Sequence, residues 1–155
     1  MMLSNSFCLQ ANAKKLIDIN YHIYGSPKYL EKHGFPKNIN DLNKHSFISF
    51  GRGAPSPVYN PDWALKLGTK DNKKRKTVMK VNSVYGLLLA VQSGVGLAAL
   101  PDYITVNQPN IVKVLPNIEG PITEAHFVYP QSMKNVARVQ AFRNFLYSKI
   151  SEWEF

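Results

Sequence analysis

The longest uncharged stretch, Val81 to Pro101 ("VNSVYGLLLAVQSGVGLAALP"), runs for 21 residues and so has the length of a membrane span. Its interior argues against one. Asn82, Ser83, Gln92 and Ser93 are polar, and Gly86, Gly94 and Gly96 each weaken a helix by about 1 kcal/mol relative to alanine. The stretch divides into two elements. Asn82 or Ser83 suits an N-cap and Gly94 the left-handed position just past a helix end, which predicts a helix over Ser83–Ser93. The run "VGLAAL", closed by Pro101, then has the pattern of a strand buried on both faces, as in a mostly parallel sheet. A helix that feeds directly into a buried strand is half of an α/β crossover.

The remaining pattern extends this alternation. "NAKKL" reads as a short helical piece in a leader to about Leu16, and "IDINYHIYG" alternates as a strand. "SPKYLEKHG" carries Ser26 as N-cap, Pro27 at the first helical position and Gly34 past the end. His33 falls in its last turn, where the helix dipole favours a cation. "PKNINDLNKH" repeats this grammar less fully. "SFISF" is a strand, "GRGAPSP" a loop, "PDYIT" a short helix, and "NIVKVL" and "EAHFVYP" are strands. "WALKLGT" and "TVMKV" alternate well enough to be strands joined by a turn at Asp71 and Asn72. The chain closes on an amphipathic helix, with Val136, Val139, Phe142, Phe145 or Leu146, Ile150 and Trp153 recurring at helical spacing.

Composition narrows the class. A chain of 155 residues with 45% hydrophobic and 19% charged side chains is globular and long enough for one domain, or one domain and a piece of another. The N-terminus lacks the pattern of a secretion signal, and the lone Cys8 forms no internal disulfide, which points to the cytoplasm and to an inert thiol. The net charge of +9 concentrates in Lys70–Lys76 ("KDNKKRK"). That block is read as a solvated hairpin tip rather than a nucleic-acid patch, because no stacking aromatics interleave with it.

Chemistry is sparse. His22, His33, His45 and His126 make no helical i, i+4 pair, and no metal site, nucleophile elbow or phosphate loop is present. Asp41, Asp62 and Asp102 each have an ordinary place at a helix start or turn. The expectation is no enzyme, no metal and no cofactor.

The order of motifs resembles that of one family. "SPKYLEKHGFPKNINDLNKH" is similar to the segment that begins the second half of the effector-binding domain in LysR-type transcriptional regulators. "NSVYGLLLAVQSGVGLAALPDYI" is similar to the same family's N-x-x-x-x-L-x-A-V-x-x-G-x-G segment, and "VYP" with "KNVARVQAFRNFLYSKI" to its closing strand and helix. Trp63 stands where members commonly carry tryptophan. The resemblance runs from about Ala11 to Ile150.

It implies an α/β fold: the second lobe of a type 2 periplasmic-binding-protein-like fold, with remnants of the first lobe. On this reading residues 1–20 are a first-lobe remnant and hinge strand, 21–130 the second effector-binding lobe, and 131–155 the hinge and C-terminal helix. The implied function is sensing of a small, anionic effector in an interlobe cleft. DNA would be reached only through a winged helix-turn-helix that this chain lacks. The cleft residues carried over by position are Phe50, Gly51, Arg52, Asn82 and Ser83. Arg52 either grips a carboxylate bidentately or is a solvated loop residue. Expected partners are the effector and a second copy of the chain or a separately encoded first lobe, with no membrane. A periplasmic-type solute-binding module and a small basic nucleic-acid-binding protein are the alternatives.

Overall fold

The structure, a computed structural model, describes residues 11–51, 60, 62–70 and 73–153. Cys8, Arg52, Asp71, Asn72 and most of "GRGAPSP" lie outside the described residues. The chain divides into two compact units, Ile19–Thr123 and a second made of Met1–Asp18 with Glu124–Phe155.

The larger unit is built on strands β2 (Tyr21–Gly25), β3 (Phe47–Phe50), β4 (Thr77–Val81), β5 (Ala98–Pro101) and β6 (Val112–Val114). β5, β2 and β6 form an antiparallel group in that order, and β3 pairs with β4 in parallel. A parallel bridge between Phe47 and Leu97 links the groups, with Leu97 N–H donating to Ser46 O at 2.9 Å and Ile48 N–H to Leu97 O at 2.8 Å. Gly96 permits this approach, since a Cβ there would stand 2.6 Å from Ser46 O. The expected parallel setting of "VGLAAL" thus holds at Leu97 only; β5 itself runs antiparallel to β2. The crossover holds, because helix α3 (Val84–Gln92) carries the chain from β4 past β3 to β5.

Two apolar clusters flank the strands. Tyr21, Ile23, Leu30, Leu42, Phe47, Trp63 and Leu97 belong to one, and Tyr24, Ile48, Leu87, Leu88, Val91 and Leu100 to the other. Successive strand residues point to opposite faces, so Ile23 and Tyr24 serve different clusters. That double coverage is why β2 is buried along its whole length. Helix α1 (Pro27–His33) supplies Tyr29 and Leu30, and is capped as expected: Ser26 accepts from Tyr29 N–H, and Gly34 follows at φ 86°. Asn38 caps a 3-10 turn over Ile39–Lys44.

Two local expectations fail. "NAKKL" is part of strand β1 (Ala11–Ile19), paired with β7 (Thr123–Pro130), because pairing along a whole strand outweighs the helical preference of five residues. The hairpin around Lys70–Lys76 does not form. Trp63–Lys66 is a helical turn, α2, whose Trp63, Ala64 and Leu65 are buried, and β4 takes β3 as its partner. Nor is the basic block uniformly solvated. Arg75 is buried, donating to Asn43 Oδ1 at 2.8 Å, Ala64 O at 3.0 Å and Ile39 O at 3.3 Å, and Lys74 pairs with Asp62.

In the smaller unit, β1 and β7 carry helix α4 (Ala137–Ile150). Tyr147 OH donates to Lys15 O at 2.9 Å, and Phe142 meets Phe127 edge-on at 5.8 Å. No residue of α4 is buried, and Phe142 and Phe145 remain more than half exposed.

Candidate functional site

β3 and β4 run in parallel, so both deliver their carboxyl ends to one edge of the sheet. Open α/β sheets bind ligands beyond such ends. Phe50 is the last residue of β3 and pairs with Val81, the last of β4. Gly51 N–H extends the ladder by one bond, donating to Val81 O at 2.9 Å. A Cβ on Gly51 would stand 3.6 Å from that of Asn82, so these two residues leave the sheet side by side.

Ser83 then turns the chain into α3. Its extended backbone (φ −137°, ψ 134°) is that of an N-cap, and its Oγ accepts from Gly86 N–H at 3.3 Å. The amides of Val84 and Tyr85, in the first turn, have no acceptor within the helix and carry the positive end of its dipole. The helix lies tight on the strand end, since a Cβ on Gly86 would come within 2.5 Å of Val81 Cγ1. Phe50, Gly51, Asn82 and Ser83 therefore form one neighbourhood that combines an aromatic ring, an exposed amide side chain and a hydroxyl at a helix start. Arg52, the one charged member expected there, lies outside the described residues.

A second polar constellation was not anticipated. Asp102, given only an ordinary place at a helix start or turn by its sequence position, is buried with His22 Nδ1 at 2.8 Å and Tyr24 OH at 2.9 Å from one carboxylate oxygen, and Lys113 Nζ at 3.2 Å from the other. Thr105 Oγ1 donates to Tyr24 OH at 3.1 Å. Burial, the largest cause, pushes the Tyr24 phenol far above its ordinary range, and the Asp102 charge adds to it. The spacing of His22 and Tyr24, two apart in a strand, was the available signal, since it puts both on one face. The cluster ties β2, β5 and β6 together. Among the described residues no group of three histidine, cysteine or acidic side chains could hold a metal ion, and no helix is long and apolar enough to cross a membrane.

Residues 10–150 match the family model described as LysR substrate binding domain. The chain is 30% identical over 122 residues to an uncharacterized HTH-type transcriptional regulator of Haemophilus influenzae, a match covering 76% of this chain and 41% of that protein. It is 25% identical over 142 residues to the HTH-type transcriptional regulator CrgA of Neisseria meningitidis, covering 89% and 46%. The chain thus spans less than half the length of these curated relatives. Among solved structures it resembles the CrgA regulatory domain, with a TM-score of 0.73 at 22% identity over 97% of this chain and 72% of that one. It also resembles the effector domain of AmpR of Pseudomonas aeruginosa, with a TM-score of 0.64 at 19% identity over 91% and 66%. At these identities the structural likeness establishes the fold, and it is the α/β, periplasmic-binding-protein-like fold expected from the motifs.

Proposed function

Because this chain belongs to the LysR substrate binding domain family, we propose that it is the effector-sensing part of a transcriptional regulator and takes a small anionic molecule at the carboxyl ends of β3 and β4. The observation that carries this reading is the side-by-side exit of Gly51 and Asn82 next to the capped start of α3. Free amides at a helix start attract carboxylates and phosphates through hydrogen bonds and the dipole together. Asn82 and Ser83 contribute neutral polar contacts, Phe50 an apolar wall, and Arg52 a bidentate grip on a carboxylate. We assign residues 21–130 to the second effector lobe, 1–20 to the hinge strand and a first-lobe remnant, and 131–155 to the hinge and closing helix. Control of DNA binding belongs to the regulator as a whole, and the chain works in the cytoplasm.

A thermal-shift screen of small mono- and dicarboxylates, repeated on Ser83→Ala and Arg52→Ala, tests the site. Ligands that stabilise the chain should lose most of their shift in both variants. A strong shift that both variants retain overturns the assignment.

A further inference from the structure

A cavity of about 660 Å³ lies in the larger unit between two segments that contribute nothing to the site above: Phe35–Asn40, which follows α1, and Lys113–Ile118, which leaves β6. The volume falls within the range of small-molecule sites. We propose that this cavity is a second ligand site, which takes an apolar molecule bearing one carboxylate or sulfonate.

The lining sets that chemistry. Ile39, Leu115 and Ile118 are partly buried there, and Phe35 stands at the rim 58% exposed, an apolar surface that an occupant would cover. No acidic residue lines the cavity, whereas Lys37 and Lys113 both do. The Lys113 ammonium is drawn to Asp102 at 3.2 Å, so its charge is already met. Lys37 is different: its backbone N–H is held by Asp41 Oδ2 at 3.1 Å, while its ammonium has no ion pair among the described residues. One free cation above an apolar floor matches one anionic group on an apolar body. Leu115 adds a further mark. It is held at φ 51°, unusual for a bulky side chain, in a turn closed by Ile118 N–H donating to Leu115 O at 2.9 Å. Backbone outliers of this kind concentrate at ligand sites.

The test is an amide-resolved NMR titration of the chain with naphthoate, and with naphthamide as its neutral counterpart. Naphthoate should give saturable shifts in both segments, 35–40 and 113–118. Lys37→Gln, at an exposed side chain, should weaken its binding roughly threefold, the scale of one solvent-screened charge contact. Naphthamide should bind wild type as weakly as naphthoate binds that variant, and Phe35→Ser should weaken both. The proposal is overturned if naphthoate shifts only residues 50–51 and 82–85, if nothing saturates, or if Lys37→Gln leaves its affinity unchanged. The anion site at α3 is probed separately, because its variants leave both cavity segments intact.

Discussion

His22 and Asp102 meet through Nδ1 and Oδ1 at 2.8 Å, eighty positions apart in the chain and both buried, and that contact holds the end of β5 to β2. Tyr24 and Lys113 complete the carboxylate's shell. Asp102→Ala would leave an imidazole, a phenol and an ammonium without their shared acceptor. Breaking a buried charged network from one side costs about 3 to 5 kcal/mol. Urea unfolding should show a loss of that order, and a loss under about 1 kcal/mol would mean that water replaces the carboxylate freely.

Arg75 predicts a case where conserving charge does not conserve function in the fold. Its planar fork reaches Asn43, Ala64 and Ile39 and stands over the Phe47 ring at 5.9 Å. A lysine keeps the charge but not the fork. Arg75→Lys should therefore destabilise the chain by about 1 to 3 kcal/mol in chemical denaturation, the range for hydrogen bonds to charged groups. Lys73→Gln, in the same basic block, should be close to neutral. Equal effects would show that the block acts as one solvated patch.

Acid should weaken the fold through His45. Burial first, then the neighbouring His33, hold its pKa below the ordinary histidine value, with Asp41 opposing them and Lys44 assisting. Its Nδ1 is buried with no partner among the described residues. A folded-state pKa below the unfolded value means that the unfolded chain binds the proton more readily. This contribution is intact above the unfolded pKa of about 6.5 and is lost as pH falls from there through the folded value. Melting temperature should fall between about pH 7 and pH 5, and His45→Phe should flatten that fall. An identical slope in the variant would assign the acid sensitivity elsewhere.

Helix α4 supplies the last prediction. The sequence marks Val139, Phe142, Phe145 or Leu146, Ile150 and Trp153 as an apolar stripe; the structure leaves Val139, Leu146 and Ile150 partly buried and Phe142 and Phe145 more than half exposed. Covering such side chains is worth about 1.5 to 3 kcal/mol each. We expect the face that carries Phe142 and Phe145 to associate with a second copy of the chain. Sedimentation of the chain should show concentration-dependent association, reduced by changing Phe142 and Phe145 together to glutamate. A wild-type chain that stays monomeric at high concentration removes this expectation.

Local chemistry was legible wherever a few adjacent residues decide the outcome. Ser26 and Pro27 begin α1 as their side chains require, Gly34 ends it because it lacks a Cβ, and Ser83 caps α3 as its position implies. The neighbourhood of Phe50, Gly51, Asn82 and Ser83 was reached through family motifs, and strand pairing brings it together. The basic block shows the limit. "WALKLGT" and "TVMKV" alternate equally well as hairpin arms, and nothing in either says that β4 will choose β3, some thirty positions upstream, over its neighbour.

The sequence by itself therefore determined the caps of α1 and α3, most but not all of the strand-forming runs, the crossover through α3 and the family, because those depend on nearest-neighbour sterics, hydrogen bonding and an ordered set of motifs. Only the tertiary structure decided which strands pair, that Arg75 turns inward and that Asp102 gathers His22, Tyr24 and Lys113. Those outcomes rest on desolvation. A charged side chain is placed inside only when distant backbone carbonyls or counter-charges arrive to replace its water, and their arrival depends on packing between segments that lie far apart in the chain.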